Sequence, residues 1–75
     1  MPDVQFSIVL RGYDRAEVDG LIKQGNLALM SSDPGERSAL ERRLRQPELT
    51  MRMRGYDRSQ VDQQLAILAD QLAAR

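Results

Sequence analysis

The chain has 75 residues, 11 basic and 11 acidic side chains, and no cysteine. A chain of this length forms one small domain at most, and such a domain is marginally stable unless close helix packing or a partner subunit supports it. The balanced charge argues against general binding to nucleic acid, and the lack of cysteine excludes disulfides and thiolate metal sites.

Two copies of one motif make up most of the chain. The sequence Arg-Gly-Tyr-Asp-Arg occupies residues 11–15 and again 54–58, and a Val-Asp pair follows at 18–19 and 61–62, so equivalent positions lie 43 residues apart. A repeat at this period indicates duplication of one supersecondary unit. We therefore predict a single domain over residues 1–75, in which repeats at about 6–30 and 49–74 are joined by a helical connector at 31–47.

Each repeat is predicted to begin with a strand that turns sharply into a helix. Side chains alternate in character over residues 6–11 and 49–54, and this period of two is typical of strands. After each Gly-Tyr pair, Asp14-x-x-Glu17 and Asp57-x-x-Gln60 match the reciprocal capping pattern of a helix start. We expect an α+β fold of two strands and three helices, in the order β-α-α-β-α, with the repeats related by a pseudo-twofold axis. The sequence leaves the strand direction open.

The remaining helices follow from local signals. A short helix is expected from about Pro34 to Gln46, because Ser32 or Asp33 can cap it and the next residue is proline. The last helix carries apolar residues at spacings of 4, 3 and 4, which is typical of the seam of a coiled coil or helix pair. This predicted helix interface consists of Val61, Leu65, Leu68 and Leu72. Since nothing else staples so short a chain, we expect a homodimer.

The most regular motif residues have structural explanations. Gly12 and Gly55 permit a conformation or close approach at the strand-to-helix corner. Tyr13 and Tyr56 can fill that corner and hydrogen-bond through their hydroxyls. Asp14 and Asp57 are explained by helix capping. With no histidine, cysteine, nucleophile elbow or glycine-rich phosphate loop, we expect no enzyme, no cofactor and no small-molecule substrate.

Four residues just before the glycines have two interpretations. The period-two register of Leu10 and Met53 favours a place in the core, and Arg11 and Arg54 can form surface ion pairs with Asp14 or Asp57. Alternatively, each apolar side chain enters the acyl boundary of a membrane while the adjacent guanidinium binds a phosphate or carboxylate oxygen.

The motif Phe6-x-x-x-Leu10-Arg11-Gly12-Tyr13-Asp14-x-x-Glu17-Val18-Asp19-x-x-Ile22, matched again over 49–65, resembles the amino-terminal signature of the DivIVA family of bacterial cell-division and polar-growth scaffolds. The resemblance implies a cytoplasmic, self-associating scaffold on the inner face of the membrane, with Leu10, Arg11, Met53 and Arg54 presented to lipid. Leucine and methionine replace the family's usual aromatic at the loop tip, and the 75 residues do not include the family's long coiled coil. The alternative is a soluble interaction module that pairs with DivIVA-type chains through strand edges or the last helix. Nucleic-acid binding by the arginine-rich middle is a third and weaker interpretation.

Overall fold

The computed structural model describes residues 6–74. Its elements are β1 (Ile8–Tyr13), α1 (Arg15–Leu29), α2 (Pro34–Arg45), β2 (Met51–Tyr56) and α3 (Arg58–Ala73). The predicted α+β class and the order β-α-α-β-α are confirmed. Helix α2 begins as expected at Pro34, where the carboxylate of Asp33 accepts a hydrogen bond from the Gly35 N–H at 2.9 Å.

The two strands form an antiparallel ribbon that is bent across its middle. Ile8 pairs with Tyr56 and Tyr13 pairs with Met51, so the strands run in opposite directions. Tyr13 nevertheless also lies beside Tyr56, and the backbones of Gly12 and Gly55 touch. Segments 12–13 and 55–56 therefore run alongside each other in the same direction after the bend.

The glycine contact leaves no room for a side chain. A Cβ atom on Gly12 would lie 2.4 Å from the carbonyl carbon of Gly55, and one on Gly55 would lie 2.3 Å from the carbonyl oxygen of Tyr13. Neither glycine has a positive φ angle, so close approach is the reason for glycine here. The sequence allowed the two motifs to lie at opposite ends of an antiparallel ribbon or side by side in a parallel one. The bend gives an antiparallel ribbon in which they lie side by side.

The three helices enclose the core. Helix α1 packs against α3 at Gly25, where an added Cβ would meet the Leu68 Cδ2 atom at 2.4 Å, and α2 contributes the fully buried Leu44. The buried apolar residues are Val18, Leu21, Ala28, Leu44, Val61, Leu65, Leu68, Ala69 and Leu72.

The predicted helix interface on α3 lies inside this core. Val61, Leu65, Leu68 and Leu72 are each less than 5 % exposed, so they form a helix pair within the chain. The idea that this seam is free to join a second chain is therefore wrong, because α1 and α2 already cover it.

Arg37 joins the carboxyl ends of two helices. Its guanidinium donates to the carbonyl oxygen of Leu29 at 3.0 Å and to those of Leu72 and Ala74 at 3.2 Å each. The last carbonyls of a helix have no partner within the helix and attract positive charge. Arg37 provides hydrogen-bond donors and a positive charge to the carboxyl ends of α1 and α3 at once. These two ends therefore lie side by side, away from the ribbon.

The apolar face of the ribbon is only partly covered. Phe6 and Leu49 pack against the core, as do both motif tyrosines, and the Phe6 and Tyr56 ring centroids are 5.0 Å apart. Leu10 and Met53 are 72 % and 83 % exposed. Their predicted place in the core is wrong, because the bend carries the middle of the ribbon away from the helices while the alternation of side chains is kept.

Candidate functional site

Each motif tyrosine binds an aspartate of the other repeat. The Tyr13 hydroxyl donates to Asp62 Oδ1 at 2.9 Å, and the Tyr56 hydroxyl donates to Asp19 Oδ1 at 3.0 Å. Burial, followed by the hydrogen bond to the carboxylate, raises the pKa of both tyrosines above the ordinary value of 10.0. The tyrosines fill the corner as predicted, and their hydroxyls connect the repeats.

Both predicted helix caps are present. Asp14 accepts from the Glu17 N–H at 3.0 Å, and Asp57 accepts from the Gln60 N–H at 3.1 Å. That backbone hydrogen bond, together with the Arg52 guanidinium, lowers the pKa of the Asp14 carboxyl. The aspartates are therefore engaged in capping, as the motif indicated.

The prediction that the third helical residue binds back to the cap residue in each capping box is wrong. Glu17 does not bind back to its own cap residue; its carboxylate accepts from the Thr50 N–H at 2.7 Å. In the equivalent place, Gln60 Oε1 accepts from the Ser7 N–H at 2.7 Å. Both side chains thus hold the start of the opposite strand, because the bent ribbon brings that strand closer than the local amide.

The apex is the bend of the ribbon and consists of Leu10, Arg11, Met53 and Arg54. Its two apolar side chains are the largely exposed ones described above, and both arginines are exposed as well. Arg11 has a φ angle of 61°, a left-handed conformation that an arginine adopts at a cost. The apex therefore exposes two apolar side chains and two positive charges at the bend of the ribbon.

The arginines of the apex do not form the predicted ion pairs. Within residues 6–74, neither Arg11 nor Arg54 forms a salt bridge, and Asp14 pairs with Arg52 at 2.8 Å. Arg52 takes that place because it lies opposite Gly12, two residues from the cap.

An open cleft adjoins the apex on one side. It has a volume of about 490 Å³, and its charged lining residues are Asp14, Arg15, Asp19, Arg52 and Arg54. We name this region the arginine cleft. The equivalent positions on the other side of the pseudo-twofold axis hold Asp57, Arg58, Asp62, Val9 and Arg11, so that side has one arginine fewer.

Sequence reasoning missed the contribution of Arg52 and Arg15. The period of two in β2 was a usable signal, because it places Arg52 and Arg54 on the same face of the strand. No local signal indicated that Arg15, at the start of α1, would line the same cleft.

Comparison with known proteins does not assign the chain to a family or a function. No protein-family model matches the chain, and the comparisons with curated proteins and with solved structures found no match. None of the helices in residues 6–74 has the length and apolar character needed to cross a membrane. The resemblance to the DivIVA family stays a prediction that depends on the repeated motif.

Proposed function

We propose that this chain is a non-catalytic adaptor of bacterial cell division or polar growth that touches an anionic membrane surface through the apex. The observation that carries the proposal is the exposure of Leu10 and Met53 at the bend of the ribbon, each beside an exposed arginine, Arg11 or Arg54. The cellular setting comes from the DivIVA-like motif in both repeats. The inner face of the membrane is the surface to which that resemblance points.

The energetics favour weak, reversible contact. Burying one leucine or methionine side chain gives about 1.5–3 kcal/mol, and an arginine near anionic lipid adds about 1 kcal/mol. Two of each give a gross gain of roughly 5–8 kcal/mol, from which the cost of association is subtracted. Several copies on one surface would therefore bind much more firmly than one copy, as expected of a scaffold component.

The shape of the apex supports the proposal. The Gly12 and Gly55 backbones are in contact, and the arms of the ribbon are held to the helices by Glu17 and Gln60. A bend held in this way loses little conformational freedom when it meets a surface, so more of the gross gain remains.

The experiment is flotation of the purified protein with vesicles of phosphatidylglycerol and phosphatidylcholine. The test variant is Leu10→Glu with Met53→Glu. Its matched control is Leu27→Glu with Met30→Glu, which changes two apolar side chains that are 58 % and 84 % exposed near the carboxyl end of α1. That end lies ~20 Å along the helix from the ribbon, given a rise of about 1.5 Å per residue.

We expect the wild type and the control to float and the apex variant to stay in solution. Both variants add the same net charge, and a third variant, Leu10→Gln with Met53→Gln, adds none and so separates loss of the apolar contact from local repulsion by the membrane surface. Circular dichroism confirms in advance that all three are folded. If the first two variants float equally, or if the wild type does not float, the proposed lipid contact is refuted.

A second candidate is a soluble interaction module that joins this chain to a second copy or to a DivIVA-type chain. The exposure of Leu27 and Met30 at the end of α1 favours it, since the α3 seam is already covered. Light scattering at micromolar concentrations tests the expected dimer. A dimer that becomes monomeric on Leu27→Glu with Met30→Glu would support this candidate, and a wild-type monomer would refute the homodimer.

A further inference from the structure

Three guanidinium groups line the arginine cleft, and few of their N–H groups donate a hydrogen bond to an acceptor in residues 6–74. Among the hydrogen bonds of residues 6–74, the Nε–H of Arg52 is the one cleft arginine donor with a protein acceptor, which is Asp14. The side chains of Arg15 and Arg54 make no hydrogen bond in this part of the chain and are exposed. Each guanidinium carries five N–H donors, so most donors of the cleft are available to a ligand.

The two acids of the cleft are already engaged. Asp14 accepts from the Glu17 N–H and from Arg52, and Asp19 accepts from the Tyr56 hydroxyl. Three arginines against two carboxylates leave the cleft with a positive balance. The ligand that suits a positive cleft with many planar N–H donors is an oxyanion, and phosphate oxygens match the arginine fork.

We propose that the arginine cleft is a binding site for one phosphate group, supplied by an anionic lipid headgroup while the apex touches the membrane. This proposal rests on the proposed function for its source of phosphate. Arg54 belongs to both the apex and the cleft and directly follows Met53, so a headgroup beside an inserted methionine lies within reach of the cleft. Arg15 and Arg52 then bind oxygens that Arg54 alone would leave to water.

The pseudo-twofold axis provides an internal control, because the cleft can be compared with the equivalent surface of the other repeat. The comparison distinguishes a specific phosphate site from general electrostatic attraction to lipid. The positions equivalent to Arg54 and Arg15 are Arg11 and Arg58, but the position equivalent to Arg52 is Val9. General attraction to anionic lipid depends on charge near the surface, and removal of two arginines at equivalent positions weakens it to a similar extent on either side of the axis. A phosphate site exists on the Arg52 side alone.

The experiment compares two double variants by titration with phosphatidylglycerol-containing vesicles. The cleft variant is Arg15→Gln with Arg54→Gln, and the mirror variant is Arg58→Gln with Arg11→Gln. Each removes two positive charges at equivalent positions. We expect the cleft variant to lose on the order of tenfold more affinity than the mirror variant, since hydrogen bonds to a charged group are lost as well as charge.

A third variant, Arg52→Val, installs the residue of the mirror side. In the Arg52→Val background, we expect the cleft and mirror double variants to lose nearly the same affinity for the vesicles. Thermal melting verifies that the Arg52→Val protein is folded. With Arg52 present, equal losses in the cleft and mirror variants would overturn the phosphate site on lipid, because general attraction alone would then account for binding.

A second measurement separates this proposal from the proposed function. NMR signals of the Arg15 and Arg54 Nε–H groups are followed during titration with inorganic phosphate, with the Arg58 and Arg11 signals as the internal control. Shifts confined to the cleft arginines support a phosphate site. If those shifts occur and the wild type does not float with vesicles, the lipid source is refuted and the bound phosphate group belongs to a soluble phosphate ester. Absence of shifts, or equal shifts on both sides, overturns the site even if the protein floats.

Discussion

Two glycines in the middle of α1 provide a stringent test of the helix packing. Gly20 has no atom within 4 Å of the place that a Cβ would occupy, whereas a Cβ on Gly25 would lie 2.4 Å from Leu68 Cδ2 and 3.1 Å from Leu68 Cγ. The same substitution, glycine to alanine, therefore meets open space at one site and a buried side chain at the other. We expect the two variants to change stability in opposite directions.

The magnitude follows from two terms. Replacing glycine by alanine inside a helix gains about 0.8–1 kcal/mol. That gain is the whole effect at Gly20, which raises the melting temperature by roughly 4–8 °C for a domain of this size. At Gly25 the added methyl overpacks the core, at a cost of about 1–3 kcal/mol. Leu68 cannot turn away freely, because it is 3 % exposed and Leu44 Cδ1 lies 3.5 Å from the same Cβ position.

The difference between the two variants isolates the packing cost, since the helix-propensity gain is common to both. Chemical denaturation with circular dichroism measures the free energy of unfolding of each variant. We expect Gly20→Ala to be more stable than Gly25→Ala by about 1–3 kcal/mol. A Gly25→Ala protein as stable as Gly20→Ala would refute the close approach of α1 to α3.

Two further predictions concern the ends of the helices and the connection between repeats. Arg37→Ala should lower the free energy of unfolding by about 1–3 kcal/mol, because carbonyls at the ends of both helices lose a charged donor. Arg37→Lys keeps the charge but not the planar guanidinium, so it should restore only part of the lost stability. Full restoration of the free energy of unfolding in a denaturant titration would contradict the capping of both helices by Arg37. The Tyr13 and Tyr56 hydroxyls are the only two phenols in the chain, so tyrosinate absorbance should titrate above pH 10 and move toward it in an Asp19→Asn, Asp62→Asn variant. Since partial burial raises these pKa values in the folded state, the contribution of the tyrosines to stability is present below the unfolded pKa near 10 and is lost as the pH rises through the folded pKa values. A wild-type midpoint at the ordinary value would refute the hydrogen bonds between the tyrosine hydroxyls and the aspartates.

The repeat and the caps made much of the fold predictable. Alternation before each glycine indicated the strands, and Asp14, Asp57 and Pro34 marked helix starts by local chemistry that does not depend on the rest of the chain. The seam on α3 was also recognisable from its spacing. Which surface would cover that seam was not predictable, because an apolar stripe packs equally well against its own chain or another.

The site was less predictable, because its geometry depends on a bend. Alternation in a strand says which residues share a face, but it does not say whether that face reaches the core along its whole length. Leu10 shares a face with Phe6 and is nevertheless exposed, because the ribbon turns away between them. Glu17 likewise has the correct spacing for its own cap but finds the Thr50 amide, a contact between residues 33 positions apart.

The contact of Gly25 with Leu68 joins two equivalent positions of the duplicated unit. A symmetric dimer of identical subunits would have to place the same residue on both sides of its axis, either two glycines that leave a void or two leucines that collide. In the duplicated chain each side mutates independently, so a small residue can be matched to a large one. The same freedom allows arginine at position 52 and valine at position 9. Substitution in one repeat can thus change one half of this molecule without changing the equivalent position in the other half.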